Sequence, residues 1–481
     1  MNTIGAEVPS GMLRSQNWNT FIMAYDNEHW IEVLKEKRVK INEISPSFCS
    51  AKWLQTTLML QNGYNHSCHH PSPHKIPVQE VLENPAALHN NNYKKQQRIK
   101  MINGERPREC DYCWRIEDQG KDHFSDRHYK TSDWWAWDKV DLIATSNPTD
   151  DVYPTYLEVS FSNACNFACA YCSPEISSTW MKDIEANGEY PVQFGSHNLD
   201  YLKETEKFPY KHSDPNPYVD AFWEWFPEAL PHLRVFRITG GEPTMSKDVW
   251  KVLDYIYENA QPELSIAINS NLGTDPRLIQ RLIDAVNKLE DKVKQIEIYT
   301  SCESIGEQAE YVRDGIDYGY WYSNVQRVLS ETNANVAIMT TINMLSLPRF
   351  CKFIEDIMEL RIEFNKDLAH NRVPLSINYL RFPPHLQCTL LDPVTRISYA
   401  SDIENLAESW LKYSSPDKFA RIYLEEFDQI QRFCEYLRMT PTATKYRADF
   451  VKFIKEYDGR RDKNFSETFV EFAHLLEDWN E

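Results

Sequence analysis

The sequence predicts an α/β fold built on a parallel sheet, and two observations carry that reading. From about residue 154 onward, short β-branched or apolar runs alternate with helical stretches. Six such β/α pairs occur, and alternation of this kind packs into a parallel sheet with right-handed crossovers. Six units are too few for a complete eight-unit barrel.

The β-like runs are 156–161, 233–238, 264–268, 295–299, 335–340 and 375–380. Between them, Val249, Trp250, Val252, Leu253 and Ile256 follow a 3.6-residue period behind Ser246, an expected N-cap. Leu278, Ile279, Leu282, Ile283 and Val286 repeat the pattern, as do Phe350, Phe353, Ile354, Ile357 and Leu360. A polar, proline-rich insertion at 187–218, with His197, His212, Pro215 and Pro217, reads as a loop or lid. Beyond about 400 the chain is helical and charged, most clearly at 421–438 and 446–457. The stretch 465–479 places Phe469, Phe472, Leu475 and Leu476 on one face. This region reads as packing helices without chemistry.

The chain of 481 residues, 42% hydrophobic, suffices for a large core and two or three domains. Its formal net charge of −19 comes without the basic stripe of a duplex binder, so no nucleic-acid partner is expected. Residues 1–20 lack the apolar core of a secretory signal. No window approaches the ~18 apolar residues of a membrane span. The expectation is a cytoplasmic protein whose eleven cysteines act as ligands or buried thiols rather than disulfides.

Chemistry concentrates at the ends of the β-like runs. Cys165, Cys169 and Cys172 form a C-x3-C-x2-C loop after the first run. A [4Fe-4S] cluster takes four thiolates, so three from one loop leave one iron open. Structural zinc sites close all four positions, usually with paired CxxC units, and an odd triplet makes a poor disulfide framework. The second run is followed by Thr239-Gly240-Gly241-Glu242-Pro243, whose glycines permit a sharp turn and close approach to a ligand. The third ends at Asn269-Ser270-Asn271 and the fourth at Ser301-Cys302-Glu303. These small polar residues suit ligand hydroxyls, and equally suit caps of the following helices.

The triplet, with Tyr171 before its last cysteine and GGEP one run later, resembles the signature of radical S-adenosylmethionine (SAM) enzymes. That resemblance implies a TIM-like partial (β/α)6 barrel. It implies a [4Fe-4S] cluster on Cys165, Cys169 and Cys172, with the amino and carboxylate groups of SAM on the open iron. Reductive cleavage would give a 5′-deoxyadenosyl radical that abstracts hydrogen from a substrate. A reductase, or a flavodoxin- or ferredoxin-type donor, would supply the electron. By the same resemblance Gly240, Gly241 and Glu242 serve the SAM ammonium, while Ser270, Ser301, Asn271 and Glu303 serve its sugar or carboxylate. Arg313, in a segment similar to one in SPASM/twitch proteins, serves the carboxylate, a geometry that suits a guanidinium fork. Tyr171 joins the cofactor-binding set. Thr341, Asn343, Asn378, Tyr379 and Arg381 end the last two runs and are expected at the open mouth.

Four more cysteines lie upstream. Cys49 is followed by thirteen residues, Gly63, four residues and Cys68, and then by Cys110 and Cys113 in a CxxC. Four thiolates would fully ligate one [4Fe-4S] cluster. They would also make a zinc site, for which His69, His70 and His74 offer alternative ligands. The order resembles half of a SPASM/twitch auxiliary-cluster domain, although such domains usually follow the radical core. A second, auxiliary [4Fe-4S] cluster is the expectation. Of the remaining cysteines, Cys351 lies near the apolar face of its helix and reads as buried, while Cys388 and Cys434 carry no assigned role. Cys302 reads as a buried thiol or, alternatively, a substrate contact.

The expected organisation is a twitch-like auxiliary-cluster region of α+β character at 1–150, a radical SAM core at 151–390 and a helical extension at 391–481. Families with such clusters often modify polypeptides, so a peptide or protein substrate is expected first and a small-molecule cyclisation, as in molybdenum-cofactor biosynthesis, second. A non-catalytic iron–sulfur or zinc module on a degenerate barrel is the reading from a different class.

Overall fold

The computed structural model describes residues 27–120, 123–193, 197–211, 214–413 and 419–480. The expectations placed on residues 1–20 and on His212 lie outside them. Among the described residues the strands are β1 Gln55–Met59, β2 Tyr64–His66, β3 His74–Lys75, β4 Tyr156–Ser160, β5 Ala168–Cys169, β6 Val235–Thr239, β7 Gln261–Asn269, β8 Val293–Ser301, β9 Arg313–Asp314, β10 Asn335–Met339 and β11 Leu375–Ser376. Nine of these form one sheet in the order β11-β10-β8-β7-β6-β4-β1-β2-β3.

The six expected strands are β4, β6, β7, β8, β10 and β11. They pair in parallel, in sequence order except that β8 meets β10 across the short β9. This is the open, partial-barrel α/β fold. A seventh parallel strand was not anticipated: β1 lies beside β4, with Thr57 opposite Glu158. Its run Gln-Thr-Thr-Leu-Met carries only two apolar residues, so it offers no hydrophobic signal. It is buried nonetheless, because the antiparallel strands β2 and β3 continue the sheet beyond it.

The helices Lys247–Glu258, Pro276–Leu289 and Phe350–Phe364 match the periodic stretches and bury the residues named for them, except the half-buried Leu278. Ser246 occupies the N-cap position of the first, but its hydroxyl makes no capping bond. The insertion at 187–218 contains the helix Leu199–Glu204. It is fastened to the β1–β2 turn, where the Tyr210 N–H donates to the Gln61 carbonyl (2.7 Å) and Asn62 Nδ2 donates to the Lys207 carbonyl (3.2 Å). The C-terminal helices Leu424–Met439 and Arg447–Arg461 appear as expected. The last stretch does not form one helix. It makes two short turns, Phe465–Thr468 and Leu475–Asp478; Phe469 leaves helical geometry after the first, and its ring packs edge-on against Tyr311 with centroids 5.1 Å apart.

One level of the sheet carries polar side chains on four of five strands. Thr57, Glu158, Arg237, Ala267 and Glu297 stand in register across five strands. The Arg237 guanidinium lies over the Tyr299 ring at 4.3 Å and faces Glu158 at 3.9 Å. Among the described residues no helix is long and apolar enough to cross a membrane.

Candidate active site

The three-cysteine loop leaves β4 at the C-terminal edge of the sheet, where ligand sites in parallel α/β folds lie. Three elements fix its path. β5, which contains Cys169, pairs antiparallel with β9, setting Cys169 opposite Arg313. The following helix, Ser178–Asn187, turns its first residues back on the loop. Ser178 Oγ accepts from the Cys165 N–H (3.1 Å), and Thr179 Oγ1 donates to the Cys165 carbonyl (2.6 Å). Trp180 Nε1 donates to the Cys169 carbonyl (2.8 Å). On the other side Asn166 reaches the end of β7, donating to the Gly273 carbonyl (2.9 Å) and accepting from Asn271 Nδ2 (2.8 Å). Phe167 packs tightly against Gly273 and Gly315, where side chains would collide with its ring.

All three thiols are half-buried. Burial pushes the Cys169 thiol up to about 11 and the Cys165 thiol to about 12, and also raises the Cys172 thiol, with the neighbouring cysteines adding to the shift for Cys165 and Cys172. Three thiols on one loop make a ligand set for a metal, whose binding would displace their protons. The donor set fits a cluster with one open iron.

The glycines lie directly against this loop. Gly240, at φ +132°, leaves no room for a side chain between Ser160 Oγ and the Ser162 carbonyl. A Cβ on Gly241 would stand 2.4 Å from the Ala164 carbonyl oxygen. The Glu242 N–H donates to that same carbonyl (2.7 Å). The Glu242 carboxylate is buried, which raises its pKa, and it accepts from the Asn271 N–H (2.6 Å), Ser270 Oγ (3.0 Å), Thr244 Oγ1 (2.7 Å) and the Thr244 N–H (3.1 Å). Ser270 and Asn271 are therefore not caps of the next helix, which starts at Pro276 behind Asp275. They tie the third strand end to the GGE turn.

Glu303 and Arg313 also converge here. They form a buried two-point pair, and Tyr171 Oη donates to the same carboxylate (3.1 Å). Arg313 Nη1 lies 3.9 Å from Cys169 Sγ. Ser301, at the end of β8, is half-buried, and Thr341 donates its N–H to Glu303 (3.4 Å). Sequence reasoning named Asn269 at a strand end but missed Ser160; their Oδ1 and Oγ are buried without a partner on either side of β6. A count of alternate positions along β4 would have found Ser160.

A cleft of about 690 Å³ opens beside Cys172, lined by Tyr171, Ile176, Tyr201, Leu202 and Phe382. Phe382 is 65% exposed. Cys302 is fully buried and its thiol donates to the Ser304 carbonyl (3.3 Å).

Cys49, Cys68, Cys110 and Cys113, distant in sequence, line one small cavity with Lys52, His70, Asp126, Arg127 and Lys130. Burial pushes the Cys49, Cys110 and Cys113 thiols up to about 12. Two of the neighbouring histidines are otherwise engaged. His70 Nε2 pairs with Asp126 (2.7 Å) while its ring stacks on Tyr112, and His74 Nε2 pairs with Asn91 (3.2 Å). His69 is exposed. Among the described residues no three histidine, cysteine or acidic side chains close upon a point as ligands of a single ion.

Residues 159–360 match the family model of the radical SAM superfamily. The chain is 28% identical over 130 residues to a GTP 3',8-cyclase of Sulfurimonas denitrificans, covering 27% of this chain and 31% of the relative. It is 26% identical over 202 residues to the GTP 3',8-cyclase of Pectobacterium atrosepticum, covering 42% and 51%. The match to the enzyme of the same name from Photorhabdus laumondii is 27% over 207 residues. The chain thus spans a third to about half of the length of these curated relatives.

Proposed function

From the match of residues 159–360 to the radical SAM superfamily, we propose that this enzyme cleaves SAM reductively at a cluster held by Cys165, Cys169 and Cys172 and uses the product to abstract hydrogen from a peptide or protein. The observation that carries the reading is the convergence of the three-cysteine loop, the GGE turn and the Arg313–Glu303 pair at one edge of the sheet. When bound there, a reduced [4Fe-4S] cluster with SAM on its open iron supplies a 5′-deoxyadenosyl radical. The chain's own part is placement. Gly240 and Gly241 bring the backbone against the cysteine loop, Ser270 and Asn271 brace Glu242, and Arg313 stands beside Cys169 as a cation for a carboxylate. Ser301 adds a hydroxyl at the β8 end.

A polypeptide substrate is supported by the aromatic-lined cleft beside Cys172, on which Phe382 and Tyr201 are exposed. The GTP 3',8-cyclase relatives favour a second reading, cyclisation of a small polar molecule in the Glu158–Arg237–Glu297 interior. An auxiliary cluster on Cys49, Cys68, Cys110 and Cys113 is supported by their shared cavity. A four-iron cube binds each thiolate through a different iron, so its ligands stand farther apart than four around one zinc. The three segments 1–150, 151–390 and 391–481 remain the proposed organisation, with a flavodoxin- or ferredoxin-type reductant and a cytoplasmic setting.

Anaerobically reconstituted protein, given SAM and dithionite, is expected to release 5′-deoxyadenosine, and Cys169→Ala to abolish the release. Wild-type protein with a full iron complement and no release would instead mark a non-catalytic binding module.

A further inference from the structure

The helix Arg447–Arg461 belongs to a region whose sequence suggested packing alone, yet it reaches the cysteine loop. Tyr457 is fully buried, and its hydroxyl lies 3.3 Å from the Ala168 carbonyl and 3.1 Å from the Tyr311 carbonyl. Ala168 and Tyr457 are 289 positions apart in the chain. One helical turn on, Arg461 donates through Nε to Asp314 (3.1 Å) and through Nη2 to Asp183 (3.4 Å). Its guanidinium lies over the rings of Trp180 (4.7 Å) and Tyr457 (4.1 Å). Lys463 pairs with the same Asp314 (2.9 Å).

Three of the groups contacted hold Cys169. Ala168 precedes it. Trp180 donates to its carbonyl. Asp314 lies on the two-residue strand that pairs with it. A two-residue ladder is too short to hold itself, and a cation shared between two carboxylates and two rings supplies what the ladder lacks. We infer that Tyr457 and Arg461 are positioning residues for the three-cysteine loop, so that the C-terminal helix is part of the active-site wall. The inference rests on the proposed cluster at this loop, and its test reads the loop separately from the cluster.

Two conservative variants keep the core filled. Tyr457→Phe removes one hydroxyl, and Arg461→Lys keeps the charge but loses the fork. In the full-length reconstituted protein, amide hydrogen exchange at Ala170 and Cys172 is expected to quicken about fivefold, the effect of one lost hydrogen bond. The β7 and β8 amides should be unchanged. The change that added SAM makes in the EPR spectrum of the reduced cluster should then need several-fold more SAM. Loop exchange that stays at the wild-type rate, or that rises equally in every strand, overturns the inference, as does an unaltered SAM response. A wild-type spectrum indifferent to SAM would sink the proposed function instead, while the exchange rates still decide whether the helix positions the loop.

Discussion

Glu303 holds Arg313 in place. The Arg313 Nη2 to Glu303 Oε2 distance is 2.6 Å, Nε adds a second contact at 3.2 Å, and the two side chains are only 6% and 1% exposed. The pair aims the remaining guanidinium nitrogen, Nη1, toward Cys169. Removing one partner of such a buried pair strands the other charge and costs about 3–5 kcal/mol. Glu303→Ala should therefore lower stability by that amount in urea unfolding. Arg313→Lys, which keeps the charge, should cost less stability but weaken SAM binding more than tenfold by spectroscopic titration. Equal SAM affinity in Arg313→Lys would show that the fork faces only Glu303.

The GGE turn makes two separable demands. A methyl group on Gly241 meets three backbone carbonyls, those of Ala164 at 2.4 Å and of Asn163 and Ile176 at 2.8 Å. Backbone cannot yield as a flexible side chain can, so Gly241→Ala should displace the cysteine loop and lower the iron count by about four per chain. Glu242→Gln keeps the shape but turns an amide N–H toward the Asn271 N–H or the Thr244 donors. One unmet buried donor costs about 1–3 kcal/mol. Thermal melts of the two apoproteins should rank them, and iron counting should show loss in Gly241→Ala even where the melt is mild.

The strands that the sequence revealed are those with apolar, β-branched runs, because burial on both faces of a parallel sheet demands them. β1 escaped because Gln55, Thr56 and Thr57 are polar although buried, which erases the hydrophobic pattern. At the site, the cysteines and glycines were legible from spacing. Trp180, Tyr457 and Arg461 were not, since a Trp on an amphipathic helix and a Tyr-x3-Arg at a helix end look like ordinary core and surface. Only the fold sets them against the Cys169 backbone.

The upstream cavity can be separated from the three-cysteine loop by metal content. Cys113 is buried and sits in the cavity with Cys49, Cys68 and Cys110. If the four hold a cluster, Cys113→Ala should drop the iron from about eight to about four per chain while SAM-dependent EPR changes persist. If they hold zinc, iron stays near four in both proteins and zinc disappears from the variant. Elemental analysis of anaerobic preparations distinguishes the two.

His385 makes the fold sensitive to acid. Its ring is buried against Phe453 (4.9 Å) and faces His197 (6.0 Å), and neither ring nitrogen has a hydrogen-bond partner. Burial lowers its pKa from 6.5 to about 3. The folded value lies below the unfolded one. The stability contributed by the neutral ring is therefore complete above about 6.5 and is lost progressively as the pH falls toward about 3. At about pH 5 the loss from this group alone comes to about 2 kcal/mol. His197 is lowered by burial in the same way, so the wild-type protein should lose more than that. His385→Leu removes only the His385 share. Its unfolding free energy should fall about 2 kcal/mol less than that of wild type between about pH 8 and about pH 5, and parallel pH profiles would show that His385 reaches water in the folded state.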